Sequence, residues 1–296
     1  MLRSSQHASR LCERHHKPGL GGVMPGEKVT QEIADIRGVP IGRKCVPPPY
    51  HRAFTTPRKL IRFVHSLREA SGGKPTGFKL CIGQPHQFPG ICQAIIETQV
   101  YPDFIIVDGG EGDTGAAPLE FEDHVGTPLN EGLHYVHNAM VGCGLRENIK
   151  VGCSGKIYSA FEIARRIAQG ADYCSAARAM MFALGCIQAQ RCHMNRCPVG
   201  VATQDPKRVR GLVVEDKAER VVSFQRNTVS ALHDLVASLG LDHVQELKPS
   251  LLMRRINPTT ARSYAQLYDS LEPGELLYSP PADWIDDWQK ASADHF

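Results

Sequence analysis

DFIIVDGGEGDTGAAP, residues 103 to 118, is the stretch whose reading decides the fold. Four apolar residues, Phe104 to Val107, stop at Asp108 and run into a loop with glycine at 109, 110, 112 and 115. An apolar run without alternation reads as a strand buried on both faces, the kind found in parallel sheets covered by helices. The glycines let the backbone approach a ligand closely, and Thr114 adds a hydroxyl. The loop has neither GxGxxG nor GxxxxGK[ST], so neither common nucleotide fingerprint applies. On its own it reads equally as a plain connector stiffened by Pro118.

The same unit recurs on both sides of this stretch. GFKLCIG (77–83), IKVGCSG (149–155) and ADYCSAAR (171–178) are further short apolar runs. Helical patterns follow the four runs in turn, at 89–98, 129–141, 159–168 and in MMFALG (180–185). Strand–helix alternation of this kind predicts βα units and a parallel sheet in an α/β fold. In a closed barrel of such units, or in an open doubly wound sheet, chemistry sits on the loops after the strands. Here those loops follow residues 83, 108, 154 and 177. Upstream, residues 1–50 are rich in loop signals, with a short helix expected over 30–36. VPPPY (46–50) must be extended. A helix is expected from Thr56-Pro57 to Ser71-Gly72-Gly73, with Leu60, Phe63, Val64 and Leu67 at helical spacing. Downstream, 216–239 reads as one long amphipathic helix and 251–256 as a second short one. The segment from Glu272 onward reads as an ordered tail with a loose end.

Bulk composition narrows the function class. The 296 residues are 42% hydrophobic, enough for a sizeable core. The net charge is +3, from 34 basic and 31 acidic residues, which argues against sequence-unspecific nucleic-acid binding. No apolar run reaches the roughly 18 residues a membrane span needs. The N-terminus lacks the apolar core of a signal peptide. It is rich in Arg, Ser and His with no acid before Glu13, so a transit peptide is the alternative to a cytoplasmic location. Ten scattered cysteines do not resemble a secreted disulfide scaffold. Cys81, Cys153 and Cys174 fall in strand-like runs and read as plain buried thiols.

Three features point to chemistry. The first is a pair of strand-end loops, SGK (154–156) and AAR (176–178), each leading toward a helix. Ser154, Gly155, Ala177 and Arg178 would hold one phosphate between the last two strands; ordinary loop chemistry is the alternative. The second is Lys79, a cation inside an apolar strand. At a barrel mouth it could place positive charge beside a flavin ring; on an edge strand it would simply be solvated. The third is GCIQAQRCHMNRCPVGVATQDP (185–206), with Cys186, Cys192 and Cys197. Residues six apart on a helix are rotated by about 240°, so this segment must leave the helix and wrap round something. Three thiolates without a fourth suit an iron–sulfur cluster with one corner missing. A zinc site including His193, or three unligated thiols, are the alternatives.

KPGLGGVMPGEKV (17–29), VPPPYH (46–51), VDGGEGDTGAAP (107–118) and the C-x5-C-x4-C-P loop followed by VGVATQDP together resemble the FMN-binding synthase domain of the glutamate synthase family, from about Lys17 to about Leu277. The resemblance implies a (β/α)8 TIM barrel with FMN at its C-terminal face and a 3Fe-4S cluster on Cys186, Cys192 and Cys197. It implies Lys79 near the flavin ring as the catalytic-site lysine, and Gly109, Gly110, Thr114 and Gly115 in the flavin loop. Ser154, Gly155, Ala177 and Arg178 would bind the phosphate, and Lys17 and Arg37 the carboxylates of 2-oxoglutarate. The implied reaction is reductive amination of 2-oxoglutarate by ammonia through 2-iminoglutarate, with hydride from reduced FMN. Electrons would enter through the cluster from ferredoxin or a pyridine-nucleotide-linked reductase.

The chain departs from the family pattern in three ways. It shows no glutaminase domain, since no N-terminal cysteine nucleophile is present. Leu20 and Val23 stand where full glutamate synthases carry polar residues, so another oxo acid or imine becomes a candidate substrate. About four βα units are legible against the eight of a closed barrel. The expectation is therefore the C-terminal part of a barrel (17–210), preceded by an unrelated or disordered segment (1–16) and followed by a helical extension and tail (211–296). Such a chain would be an N-terminally truncated product, inactive as a fragment or completed by another chain.

Overall fold

The structure, a computed structural model, describes residues 23–46, 51–111 and 124–296. Its centre is a parallel sheet of β1 (Gly77–Leu80), β2 (Phe104–Asp108), β3 (Lys150–Ser154) and β4 (Tyr173–Ser175). The strands lie side by side in sequence order. The register sets Lys79 opposite Ile106, Asp108 opposite Ser154 and Cys153 opposite Cys174. Pairing in sequence order is the winding of a barrel wall, whereas a doubly wound sheet reverses its order at a switch point. The α/β class and the four βα units are thus as the sequence predicts.

Helices α1 (Gln31–Arg37) and α2 (Pro57–Ala70) precede the sheet. Within and after it come α3 (Gln87–Thr98), α4 (Leu129–Gly142), α5 (Ala160–Ala168) and α6 (Arg178–Ala183). The boundaries follow local chemistry. The Thr56 hydroxyl accepts the Lys59 N–H at 3.2 Å and Pro57 opens the first turn of α2. Thr30 caps α1, and left-handed Gly38 ends it. Met24 and Cys45 then pair as an isolated antiparallel bridge that closes the loop around α1.

One face of the sheet is the core. Phe78, Leu80, Ile105, Val107, Val151 and Cys153 are all 2% exposed or less and pack with Leu60, Ile95, Leu133 and Val136 of the helices. The other face differs from the expectation of strands buried on both sides. Lys79, Phe104, Ile106 and Asp108 are half-buried, and Tyr173 and Ser175 are exposed. Among the described residues this sheet has four strands, against the eight that fill a closed barrel.

The C-terminal third holds α7 (Pro206–Val209) and the long α8 (Val214–Ser238), which packs on α5 and α6. Two expectations fail here. Residues 253–263 form an antiparallel hairpin, β5 (Met253–Asn257) with β6 (Thr260–Ser263), where helical spacing of Leu252 and Ile256 suggested a helix. Pro258 pushes the residue before it out of helical conformation. The Asn257 side chain then accepts the Thr259 N–H at 3.1 Å, which closes the turn. The tail is not loose either. It forms α9 (Glu275–Tyr278) and α10 (Ala282–Lys290), and Trp284 stacks on Tyr135 with ring centroids 4.6 Å apart. The Arg58 N–H donates to the Ala293 carbonyl at 2.9 Å, and Phe296 packs against the core.

Candidate functional site

The open face carries a polar cluster at the C-terminal ends of its strands. The Lys79 ammonium lies 2.7 Å from Asp108 Oδ2, and Ser154 Oγ donates to Asp108 Oδ1 at 2.6 Å. Period-two alternation forces this meeting. Lys79, Asp108 and Ser154 occupy same-face positions on three neighbouring strands. Lys79 and Ser154 were each predicted to be site residues. Asp108, which joins them, was missed. The available signal was a carboxylate in the last position of an otherwise apolar strand.

The turn after β2 is held tightly. The Gly109 N–H donates to the Ser154 carbonyl at 2.8 Å, and that of Gly110 to the Thr127 carbonyl at 2.9 Å. A Cβ on Gly110 would lie 2.6 Å from the Gly126 carbonyl oxygen, so only glycine fits. Both Glu111 oxygens accept the Leu129 N–H, at 3.0 and 2.9 Å, placing an anion at the N-terminus of α4. Thr114 and Gly115, like Lys17 and Leu20, lie outside the described residues.

The SGK turn bends through positive φ at Gly155 (144°) and Lys156 (46°). A Cβ on Gly155 would sit 3.3 Å from the Gly109 nitrogen, so these two loops are in contact. Helix α5 starts five residues beyond Gly155. Its first turn is satisfied by the Ser159 hydroxyl, which accepts the Glu162 N–H at 3.3 Å. An anion in this region would therefore meet the loop backbone rather than the end of α5. Ala177 stands just before α6, with no side-chain cap, and half-buried Arg178 opens the helix, one strand over from Ser154. Arg37 is exposed in the last turn of α1.

The cysteine loop leaves the helix as its spacing requires. Gly185 turns at φ 99°, and Cys192 starts a single 3-10 turn that ends at left-handed Asn195. The Asn195 side chain accepts the Gln204 N–H at 2.7 Å, and the Thr203 hydroxyl donates to the Asn195 carbonyl at 2.8 Å. The VATQDP segment thus clips the loop shut. Cys186 and Cys192 are half-buried and Cys197 is buried. Burial pushes the Cys197 thiol up, but backbone N–H groups of Ala202, Val199, Val201 and Gly200 converge on the sulfur and hold it below the ordinary thiol value. A sulfur ringed by N–H donors favours a bound thiolate. Among the described residues no three His, Cys, Asp or Glu side chains are placed to hold one metal ion, and His193 is exposed.

Comparison with known proteins bears on this geometry. Residues 14–242 match the family described as "Conserved region in glutamate synthase". The chain belongs to the glutamate synthase family. It is 40% identical over 222 residues to the glutamate synthase large subunit-like protein YerD of Bacillus subtilis, covering 75% of this chain and 42% of that protein. It is 35% identical over 232 residues to the archaeal glutamate synthase [NADPH] of Methanocaldococcus jannaschii, covering 78% of this chain and 45% of that protein. The chain thus spans less than half the length of these glutamate synthase relatives. Among solved structures, the flavin-binding domain of baker's yeast flavocytochrome b2 is similar at a TM-score of 0.41, with 11% identity, over 85% of this chain and 48% of that one.

Proposed function

We propose that this chain is part of a glutamate-synthase-type oxidoreductase that carries FMN at the open face of its sheet and a 3Fe-4S cluster on Cys186, Cys192 and Cys197. The observation that supports this most directly is the loop that carries the three cysteines, which leaves the helix at Gly185 and is clipped shut by Asn195 and Thr203. The residues at the strand ends fit a flavin in type: a lysine, a hydroxyl and close-approaching glycine loops face an open site. FMN would supply hydride chemistry when bound, and the cluster single-electron transfer.

In this reading Lys79 offers positive charge at the strand mouth, and Asp108 and Ser154 fix where its ammonium sits. Gly109, Gly110, Thr114 and Gly115 would line the flavin, and Ser154, Gly155, Ala177 and Arg178 its phosphate. Lys17 and Arg37 would hold the two carboxylates of 2-oxoglutarate, with ammonia supplied in solution or by a partner; Leu20 and Val23 make a related oxo acid the alternative substrate. The electron donor would be ferredoxin or a pyridine-nucleotide-linked reductase. A further chain supplying strands for the half-covered face would complete the barrel. No helix among the described residues is long and apolar enough to cross a membrane. The described cysteines are free thiols, which suits the cytoplasm. The test is a single turnover. The full chain, loaded and then reduced anaerobically, is mixed with 2-oxoglutarate and ammonium. L-glutamate in proportion to flavin reoxidised supports the reading; flavin that stays reduced with no glutamate formed contradicts it.

A further inference from the structure

The lysine of the GEKV turn (26–29) reaches across the fold. The Lys28 side chain donates to the carbonyl of Cys192 and, at 3.1 Å, to the carbonyl of Ala202, bonds that bridge 164 and 174 positions of sequence. In sequence these two carbonyls flank Cys197. Ala202 also donates its N–H to the Cys197 sulfur, so one residue bonds to both the lysine and the thiol. The other end of this strut is rigid. Lys28 lies in a 3-10 turn held by the Met24–Cys45 bridge, and a Cβ on Gly26 would be 2.1 Å from the Gly42 carbonyl oxygen, so that loop is closed tightly.

We infer that Lys28 is a positioning residue for the cysteine loop, and that its cation makes any cluster held there easier to reduce. This rests on the cluster proposed above. A fixed positive charge beside a group that gains an electron stabilises the reduced state. The two hydrogen bonds also remove the freedom of the 192–202 arch, which would otherwise have to be frozen when ligands close on the irons.

The test compares the full chain with Lys28→Arg and Lys28→Gln, all purified anaerobically. Iron and sulfide per chain, circular dichroism and the cluster's midpoint potential by spectroscopically monitored titration are read for each. Arginine keeps the charge, whereas glutamine keeps a donor and loses it. Lys28→Arg should retain iron and the wild-type midpoint. Lys28→Gln should fold normally and either move the midpoint negative by at least tenfold in the reduction equilibrium, 59 mV for one electron, or fail to hold iron at all. A Lys28→Gln protein with full iron and an unchanged midpoint overturns the inference. So does a Lys28→Arg protein that shifts, or loses iron, as much as Lys28→Gln. Wild-type protein without iron refutes the cluster itself, a different failure that is read in the same preparation.

Discussion

The two faces of the sheet are built from the same four strands and have opposite chemistry. On the helix-covered face Phe78, Ile105, Val107, Val151 and Cys153 are shut off from water. One residue along each strand, Lys79, Ile106, Asp108 and Gly152 look the other way, onto the face where Tyr173 is 37% exposed. The comparison separates two demands on a strand. The covered face supplies packing, and its apolar side chains carry the stability. The open face tolerates an ion pair and glycines that packing alone would not select. Binding residues belong on the second face because charge there stays partly solvated and a ligand can reach it.

The largest expected effect breaks the comparison where it is steepest. Ile105→Ala should cost about 2–5 kcal/mol in chemical denaturation, because it opens a cavity in a closed core. Ile106→Ala, next in the strand but on the open face, should cost no more than about 1 kcal/mol. Equal losses would mean that the open face is packed too.

Acid should expose the covered side next. Burial, and then the neighbouring Arg146 and His134, lower the His137 pKa to about 4. The unfolded chain therefore binds a proton near pH 6.5 that the folded chain refuses until about pH 4. Stability should be flat above pH 6.5 and fall by roughly 1–3 kcal/mol as pH drops between those values. His137→Gln should flatten that slope, as followed by thermal melts across the pH range.

Glycines sharpen the contrast on a smaller scale. A Cβ on Gly90, in α3, would lie 2.6 Å from the Ser292 carbonyl oxygen, which is backbone and cannot yield. Gly90→Ala should cost about 1–3 kcal/mol. The nearest atoms to a Cβ on Gly152 belong to the Tyr173 ring, at 2.4 Å, and that half-free ring can swing aside. Gly152→Ala should cost about 1 kcal/mol or less.

Comparably small in stability is Lys79→Met. The pair with Asp108 is partly solvated, so the loss should be no more than about 1 kcal/mol. Flavin affinity should nevertheless fall at least tenfold by fluorescence titration. Unchanged affinity would remove Lys79 from the site.

The strands and helices of the sheet were legible because each carries its own signal: apolar runs ending in glycine, Thr-Pro at a helix start, Gly-Gly at its end. The contact between Lys79 and Asp108 was not, since residues 29 positions apart meet only through register. Lys28 was hidden for the same reason, its partners lying 164 and 174 positions downstream. The hairpin at 253–263 was misread because two leucines, a methionine and an isoleucine fit helical spacing as well as a strand. Pro258 was the deciding residue. The tail was legible as ordered, but not its fastened end, because the anchors Trp284, Ala293 and Phe296 pack far upstream.

The central claim is that the open face and the cysteine loop hold a flavin and an iron–sulfur cluster. The most direct measurement is FMN, iron and sulfide per chain in anaerobically purified protein, with its absorption spectrum. The account predicts yellow-brown protein with one FMN and about three irons, the iron lost in Cys197→Ser and the flavin in Lys79→Met. Folded, colourless protein that takes up neither flavin nor iron on reconstitution would contradict it.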